Sequence, residues 1–134
     1  MMKNILIIGF AVLICGLTLV ACGKTESNKE NTFEQITPAE AKALMDSESD
    51  YVILDVRTEE EFNEAHIEGA VLIPDYEISA KAESILTDKE QLILVYCRSG
   101  RRSKNAAKEL ATLGYTNVKE FGGIIDWPYK TVSE

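Results

Sequence analysis

The segment that most restricts the fold is Gln91-Leu92-Ile93-Leu94-Val95-Tyr96, followed at once by Cys97-Arg98-Ser99-Gly100-Arg101-Arg102-Ser103. The first stretch is apolar on both of the faces a strand presents, which suits a central parallel strand covered on each side. The second is short, contains a glycine and runs into a helical pattern. From Arg102 to Leu113, Ala106, Leu110 and Leu113 share one face, and Gly114 provides the stop. Buried strand, tight loop and amphipathic helix are one unit of a layered α/β fold.

The flanking sequence repeats that alternation. Thr37-Pro38-Ala39-Glu40 is a helix start: Thr37 can cap, Pro38 suits the first turn, and Glu40 can reach back. Tyr51-Val52-Ile53-Leu54 is a short apolar strand ending at Asp55. Thr58-Glu59-Glu60-Glu61 forms a second capping box, with acids where the helix dipole favours them. Ala70-Val71-Leu72-Ile73 reads as a strand stopped by Pro74, and a helix is expected from Ile78 to Leu86. Val118-Lys119-Glu120-Phe121 is the last strand, followed by Gly122-Gly123 and a short helical turn up to Trp127-Pro128. In a mostly parallel sheet, ligands bind at the carboxyl ends of the strands. Asp55 and Cys97 both fall at such ends.

The chain has 134 residues, enough for one domain and too few for two. Its net charge of -8 argues against nucleic acid as a partner. One histidine, His66, and no Cys-x-x-Cys pair leave no zinc site. No cofactor is expected, and a monomer is.

The N-terminus has a different character. Lys3 is the only charge before Lys24, and the run from Ile5 to Gly23 is uncharged. A short basic start and an apolar run are the layout of a secretory signal. The run ends Leu19-Val20-Ala21-Cys22, which resembles the bacterial lipobox; that resemblance implies cleavage before Cys22 and lipid on its sulfur. The alternative is an uncleaved anchor, since about 18 apolar residues just span a bilayer. We therefore divide the chain into a lipoprotein signal peptide (1–21), a polar tether (22–32) and a folded domain (33–134). The expected location is the exported side of a bacterial cell envelope, held to the membrane by lipid on Cys22. Of the three cysteines, removal of the signal and lipidation leave one thiol, Cys97, so no internal disulfide is expected.

Three features converge on that thiol. Gly100 lets the loop amides turn inward around an anion. The loop feeds a helix N-terminus, which adds the positive end of a dipole. Arg98, Arg101, Arg102, Lys104 and Lys108 place five cations within twelve residues of an otherwise acidic chain. All three favour a thiolate at Cys97 and an anionic substrate beside it.

These residues carry a resemblance. The chain resembles the single-domain rhodaneses, the thiosulfate sulfurtransferase family, from about Ile36 to Trp127. The shared motifs are Ile53-Leu54-Asp55-Val56-Arg57-Thr58-Glu59-Glu60-Glu61-Phe62 continuing through Ala65-His66-Ile67-Glu68-Gly69-Ala70 to Ile73-Pro74, then the Cys97–Ser103 loop, then Gly122-Gly123-Ile124 with Trp127. The resemblance implies a rhodanese-like α/β fold with a central parallel five-stranded sheet flanked by helices. It implies that Cys97 carries sulfur and that Arg98, Ser99, Gly100, Arg101 and Arg102 surround the substrate anion. The reaction it implies moves sulfane sulfur from thiosulfate, or a similar small anionic donor, to a thiol or cyanide acceptor through a Cys97 persulfide. Sulfite is a weakly basic leaving group, so no general acid is needed.

Other prominent residues have plainer readings. His66, Asp55 and Arg57 are expected to be structural, Trp127 to sit in the core or at a pocket rim, and Glu59, Glu60, Glu61 and Glu64 to form a solvated helix face. Two rival functions stand beside sulfur transfer. A cysteine phosphatase or arsenate reductase uses a Cys-x5-Arg loop, whereas Arg102 makes this one Cys-x4-Arg. A persulfide-carrying or sulfur-sensing module would have the same loop and little turnover.

Overall fold

Residues 32–134 are described by a computed structural model. The expected signal peptide and all but the last residue of the expected tether lie outside the described residues. The fold is built on β5 (Leu92–Cys97), in which every residue is buried. β2 (Tyr51–Asp55) and β6 (Val118–Gly123) pair with it on either side, and β4 (Val71–Leu72) and β1 (Glu34–Gln35) complete the sheet. The order is β1-β6-β5-β2-β4, and all four pairings are parallel. The central parallel five-stranded sheet flanked by helices that the resemblance implies is the one observed.

Strand alternation sorts β5 between two cores. Ile93, Val95 and Cys97 face α3 (Ile78–Ile85) and α4 (Arg101–Thr112), packing with Ile78, Ala82, Ala106 and Leu110. Leu92, Leu94 and Tyr96 face the other way, against Ala41 of α1 (Pro38–Ser47) and against Phe121 and Trp127. The doubly apolar reading of this strand is thus explained by helices on both sides. Both capping boxes form. Thr37 caps α1 with Glu40 reaching back, and Thr58 caps α2 (Glu59–Glu64) with Glu61. Each cap stabilises its helix by about 0.5–2 kcal/mol.

Three short strands escape the sequence reading. β1 is two exposed polar residues joined to β6 by backbone pairing. β3 (His66–Ile67) pairs antiparallel with β7 (Thr131–Val132), so the segment after Trp127 folds back and is fastened. β6 also runs further than Phe121, through Gly122 and Gly123.

That extension shapes the site. Val95 pairs with Glu120, yet Cys97 pairs with Gly123, so β6 inserts one extra residue opposite β5. Gly122 takes a φ of 90°, a conformation suited to glycine at such a bulge. The bulge brings Gly123 against the backbone that follows Cys97: a Cβ there would lie 1.9 Å from Arg98 O and 2.5 Å from Ser99 N.

Candidate functional site

Cys97 ends β5 and is 1% exposed. Its Sγ lies at the floor of the loop, 3.0 Å from the Gly100 amide, which donates to it, and 3.3 Å from Ser103 Oγ. Gly100 occupies the N-cap of α4 with a φ of 103°, and no side chain caps the helix there. The first helical bond into this cap comes from Lys104 N, 3.2 Å from Gly100 O. The amides of Arg101, Arg102 and Ser103 therefore precede intrahelical bonding, as helix N-termini dictate. An unbonded helix start next to a sulfur atom is a ready site for an anion on that sulfur.

The loop residues divide by exposure. Arg98, Ser99 and Arg101 are exposed, Gly100 is buried and Arg102 is half-buried. The Arg102 guanidinium reaches across to α2, with Nη1 and Nη2 donating to the two Glu61 oxygens at 2.8 and 2.9 Å. Any Arg102 contact to substrate would require that pair to open. Arg98 borders a cleft of about 370 Å³ beside the loop, together with Arg57, Ile125, Trp127 and Tyr129. Its own carbonyl is tied to Ile125 N at 3.3 Å.

Glu61 departs from the solvated helix face expected of it. Besides gripping Arg102, it accepts from Thr58 N at 3.0 Å. The Arg102 hydrogen bonds, opposed by partial burial and helped by the Thr58 amide, pull its carboxyl down to about 2. Glu59, Glu60 and Glu64 are exposed as expected.

Asp55 and Arg57 take the structural part expected. The buried Asp55 carboxylate accepts from Arg57 N at 2.9 Å and from Arg57 Nη2 at 2.7 Å, and Nη2 also donates to Ala65 O at 2.6 Å. This clamp joins the end of β2 to the end of α2. Burial and then the Asp55 carboxylate push the neighbouring Tyr96 phenol well above the usual tyrosine range, and its oxygen accepts from Ile67 N at 3.1 Å. His66 stacks on Phe62 with ring centroids 3.8 Å apart, and its Nδ1 is 2.8 Å from Phe62 O. Trp127 is buried among the apolar residues of the α1 side.

Sequence reasoning missed Glu120. It reads there as one more acid in a mixed strand, but it is 2% exposed and faces the loop. Its Oε1 accepts from Ser103 Oγ at 2.6 Å and from Gly122 N at 2.8 Å. The sequence carries no decisive signal for it: Glu120 shares a face with the core residue Val118, but Lys119 shares the other face with the core residue Phe121.

Comparison with known proteins agrees with this geometry. The family description "Rhodanese-like domain" matches residues 37–128. A thiosulfate sulfurtransferase of Escherichia coli, PspE, is 37% identical over 73 residues, covering 54% of this chain and 70% of that one. Thiosulfate sulfurtransferase 18 of Arabidopsis thaliana is 32% identical over 112 residues, covering 74% of this chain and 80% of that one. Among solved structures, an E. coli rhodanese with anions superposes with a TM-score of 0.59 at 33% identity, covering 63% of this chain and 99% of that one. The match spans four of the five strands of the sheet, the Cys97 loop and the glycine pair of β6, and on that extent this chain belongs to the rhodanese-like sulfurtransferase family.

Proposed function

We propose that the protein transfers sulfane sulfur from thiosulfate, or a similar small anionic donor, to a thiol or cyanide acceptor through a persulfide on Cys97. The observation that carries this reading is the position of Sγ, 3.0 Å from the Gly100 amide at the start of α4. The thiolate attacks the outer sulfur of the donor, and sulfite departs with the electron pair of the broken S–S bond. The persulfide anion then lies where the amides of the helix start stabilise it. A nucleophilic acceptor removes the outer sulfur and returns the electron pair to Sγ. The names of the E. coli and Arabidopsis relatives support thiosulfate as the donor. Thiosulfate treatment followed by intact-mass measurement tests the reading: one added sulfur atom on Cys97 is expected, and no adduct would overturn it.

Arg98 and Arg101 are the exposed cations of the loop, and among the described residues neither joins an ion pair. Replacing either with Ala is expected to weaken donor binding by roughly 1–3 kcal/mol, the value of a charge-assisted contact. Both variants should still form the persulfide at saturating thiosulfate, because the backbone cradle remains. Hydrolysis of an aryl phosphate should be negligible in the wild type. Steady-state kinetics with both substrates decide the point: efficient phosphatase turnover, or full thiosulfate activity in the double Arg variant, would show that the loop binds something else.

We also propose that the mature chain starts at a lipidated Cys22 and is held at the membrane on the exported side. The support is the Leu19-Val20-Ala21-Cys22 sequence after an apolar run. Cys22→Ala is expected to release the protein from membranes or block its processing. A cellular protein whose mass still includes residues 1–21 would rule this out.

A further inference from the structure

Of the three arginines in the Cys97 loop, only Arg102 has a carboxylate partner among the described residues. We propose that Glu61 is a positioning residue that withholds Arg102 from the substrate anion, so that the site binds oxyanions weakly enough to release sulfite. For its part in turnover this rests on the sulfur-transfer reading. Arg102 Nη1 donates to Glu61 Oε2 at 2.8 Å and Nη2 to Oε1 at 2.9 Å. A guanidinium closes on an oxyanion with two such parallel bonds, so a donor anion and Glu61 compete for the same nitrogens. The two side chains are only 25% and 20% exposed, so solvent and salt screen the pair less than an open surface pair.

Glu61 is held from behind. Its Oε2 also accepts from Thr58 N at 3.0 Å and from Thr58 Oγ1 at 3.3 Å, the bonds that close the start of α2. The far end of α2 is fixed by Arg57 Nη2, which donates to Ala65 O at 2.6 Å. The carboxylate therefore cannot follow the guanidinium toward the loop without opening its own cap. Arg102 is rooted in the first turn of α4, at the helix start that faces Sγ. Its guanidinium holds its proton more tightly than usual, first through the Glu61 hydrogen bonds, against partial burial, and then through the charges of Glu61, Cys97 and Asp75. Arg102 is thus close enough to feel the sulfur, yet its charge is matched by α2.

The consequence follows from the likeness of donor and product. Thiosulfate enters and sulfite leaves as small oxyanions. A guanidinium closed on both would bind both more tightly, which lowers KM without raising kcat and retards the departing product. With Arg102 paired, the anion is left to the amides of the helix start and to the exposed Arg98 and Arg101. Glu61→Gln separates the two duties of the carboxylate. Glutamine still completes the capping box of α2, but it removes the charge that holds Arg102.

Thiosulfate binding is measured by titration calorimetry on full-length chains carrying Cys97→Ser, which cannot turn the donor over. Four are compared: the parent, Glu61→Gln, Arg102→Gln and the double variant. Glu61→Gln is expected to bind thiosulfate about tenfold more tightly than the parent, through charge-assisted bonds from the released Arg102. A merely structural role for Glu61 predicts no gain. Arg102→Gln should bind more weakly, because it leaves a bare carboxylate beside the site. The double variant should return to within about threefold of the parent, since the pair is removed whole. With Cys97 intact, Glu61→Gln should lower KM for thiosulfate and strengthen inhibition by sulfite, with kcat not raised. Four results would each overturn the proposal: no binding in any chain, no gain in Glu61→Gln, a gain that persists in the double variant, or a double variant tenfold weaker than the parent. The third would mean that charge removal alone acts, and the fourth that Arg102 already holds the donor. Calorimetry needs no sulfur transfer. Tighter binding in Glu61→Gln, in a protein whose Cys97 gains no sulfur from thiosulfate, would reject the sulfur-transfer reading and leave the restraint of Arg102 standing.

Discussion

Replacing Cys97 with Ser is expected to reduce thiosulfate turnover by roughly 10³-fold or more, the scale on which enzymes lose activity when a covalent nucleophile is removed. The fold should survive. Serine is nearly isosteric, and the Gly100 amide that now donates to Sγ at 3.0 Å can donate to a hydroxyl oxygen instead. The side chain stays on the α4 face of β5 among Val95 and Ala106. What is lost is ionisation: a hydroxyl does not become an anion at neutral pH, and oxygen is the poorer nucleophile toward sulfur. Two measurements separate these effects. Thermal unfolding of the variant should stay within a few degrees of wild type, a ΔΔG of about 1 kcal/mol or less. Intact mass after thiosulfate should show an added sulfur in the wild type and none in the variant. A Ser variant with near-wild-type turnover would remove Cys97 from the reaction.

The parts of this molecule that were legible in the sequence are those set by local periodicity. β5 announces itself by six successive buried positions, and α4 by an apolar face that meets the sheet. The capping boxes are four-residue patterns whose partners lie inside the same turn, so sequence alone suffices to place them. The loop after Cys97 was legible for the same reason, because a glycine between a buried strand and a helix leaves the chain few ways to turn.

What stayed hidden depends on partners distant in sequence. β1 has no apolar pattern; it is a strand because β6 offers it unpaired backbone groups. β3 and β7 hold each other across more than sixty residues of sequence and carry too few residues to show alternation. Arg102 looks like a substrate cation until α2 folds beside α4 and supplies Glu61, 41 residues away. Glu120 is hidden by ambiguity of face. In Val118-Lys119-Glu120-Phe121 each face carries one charged and one apolar residue, so parity alone does not say which side is buried. Only the docking of α4, which brings Ser103 to 2.6 Å, decides that Glu120 is the inward acid.

Gly123→Ala is expected to disable the site from outside it. The glycine is not in the loop and its backbone needs no unusual φ; it sits at -131° and ψ 157°, ordinary extended values for any residue. The obstacle is space. An alanine Cβ would lie 1.9 Å from Arg98 O, 2.3 Å from Arg98 C and 2.5 Å from Ser99 N. All three are backbone atoms, so no side chain can swing aside, and either β6 or the loop must move by an ångström or more. β6 is poorly placed to yield, being paired on one side with β1 and on the other with β5. The loop is the softer element, and its displacement would carry the Gly100 amide away from Sγ. Overpacking of this kind costs about 1–3 kcal/mol, which for a domain of this size lowers the melting temperature by roughly 4–20 °C. The effect on turnover should be larger in proportion, about 100-fold, since a displacement near 1 Å is enough to misplace a reacting group. Gly122→Ala offers the contrast. A Cβ there meets nothing within 4 Å, but the φ of 90° is strained for alanine, so the penalty should fall on stability more than on loop position. Thermal unfolding and thiosulfate kinetics on the two variants test the distinction: equal activity losses at matched stability would mean that the close approach of Gly123 to the loop does not hold the Cys97 cradle in place.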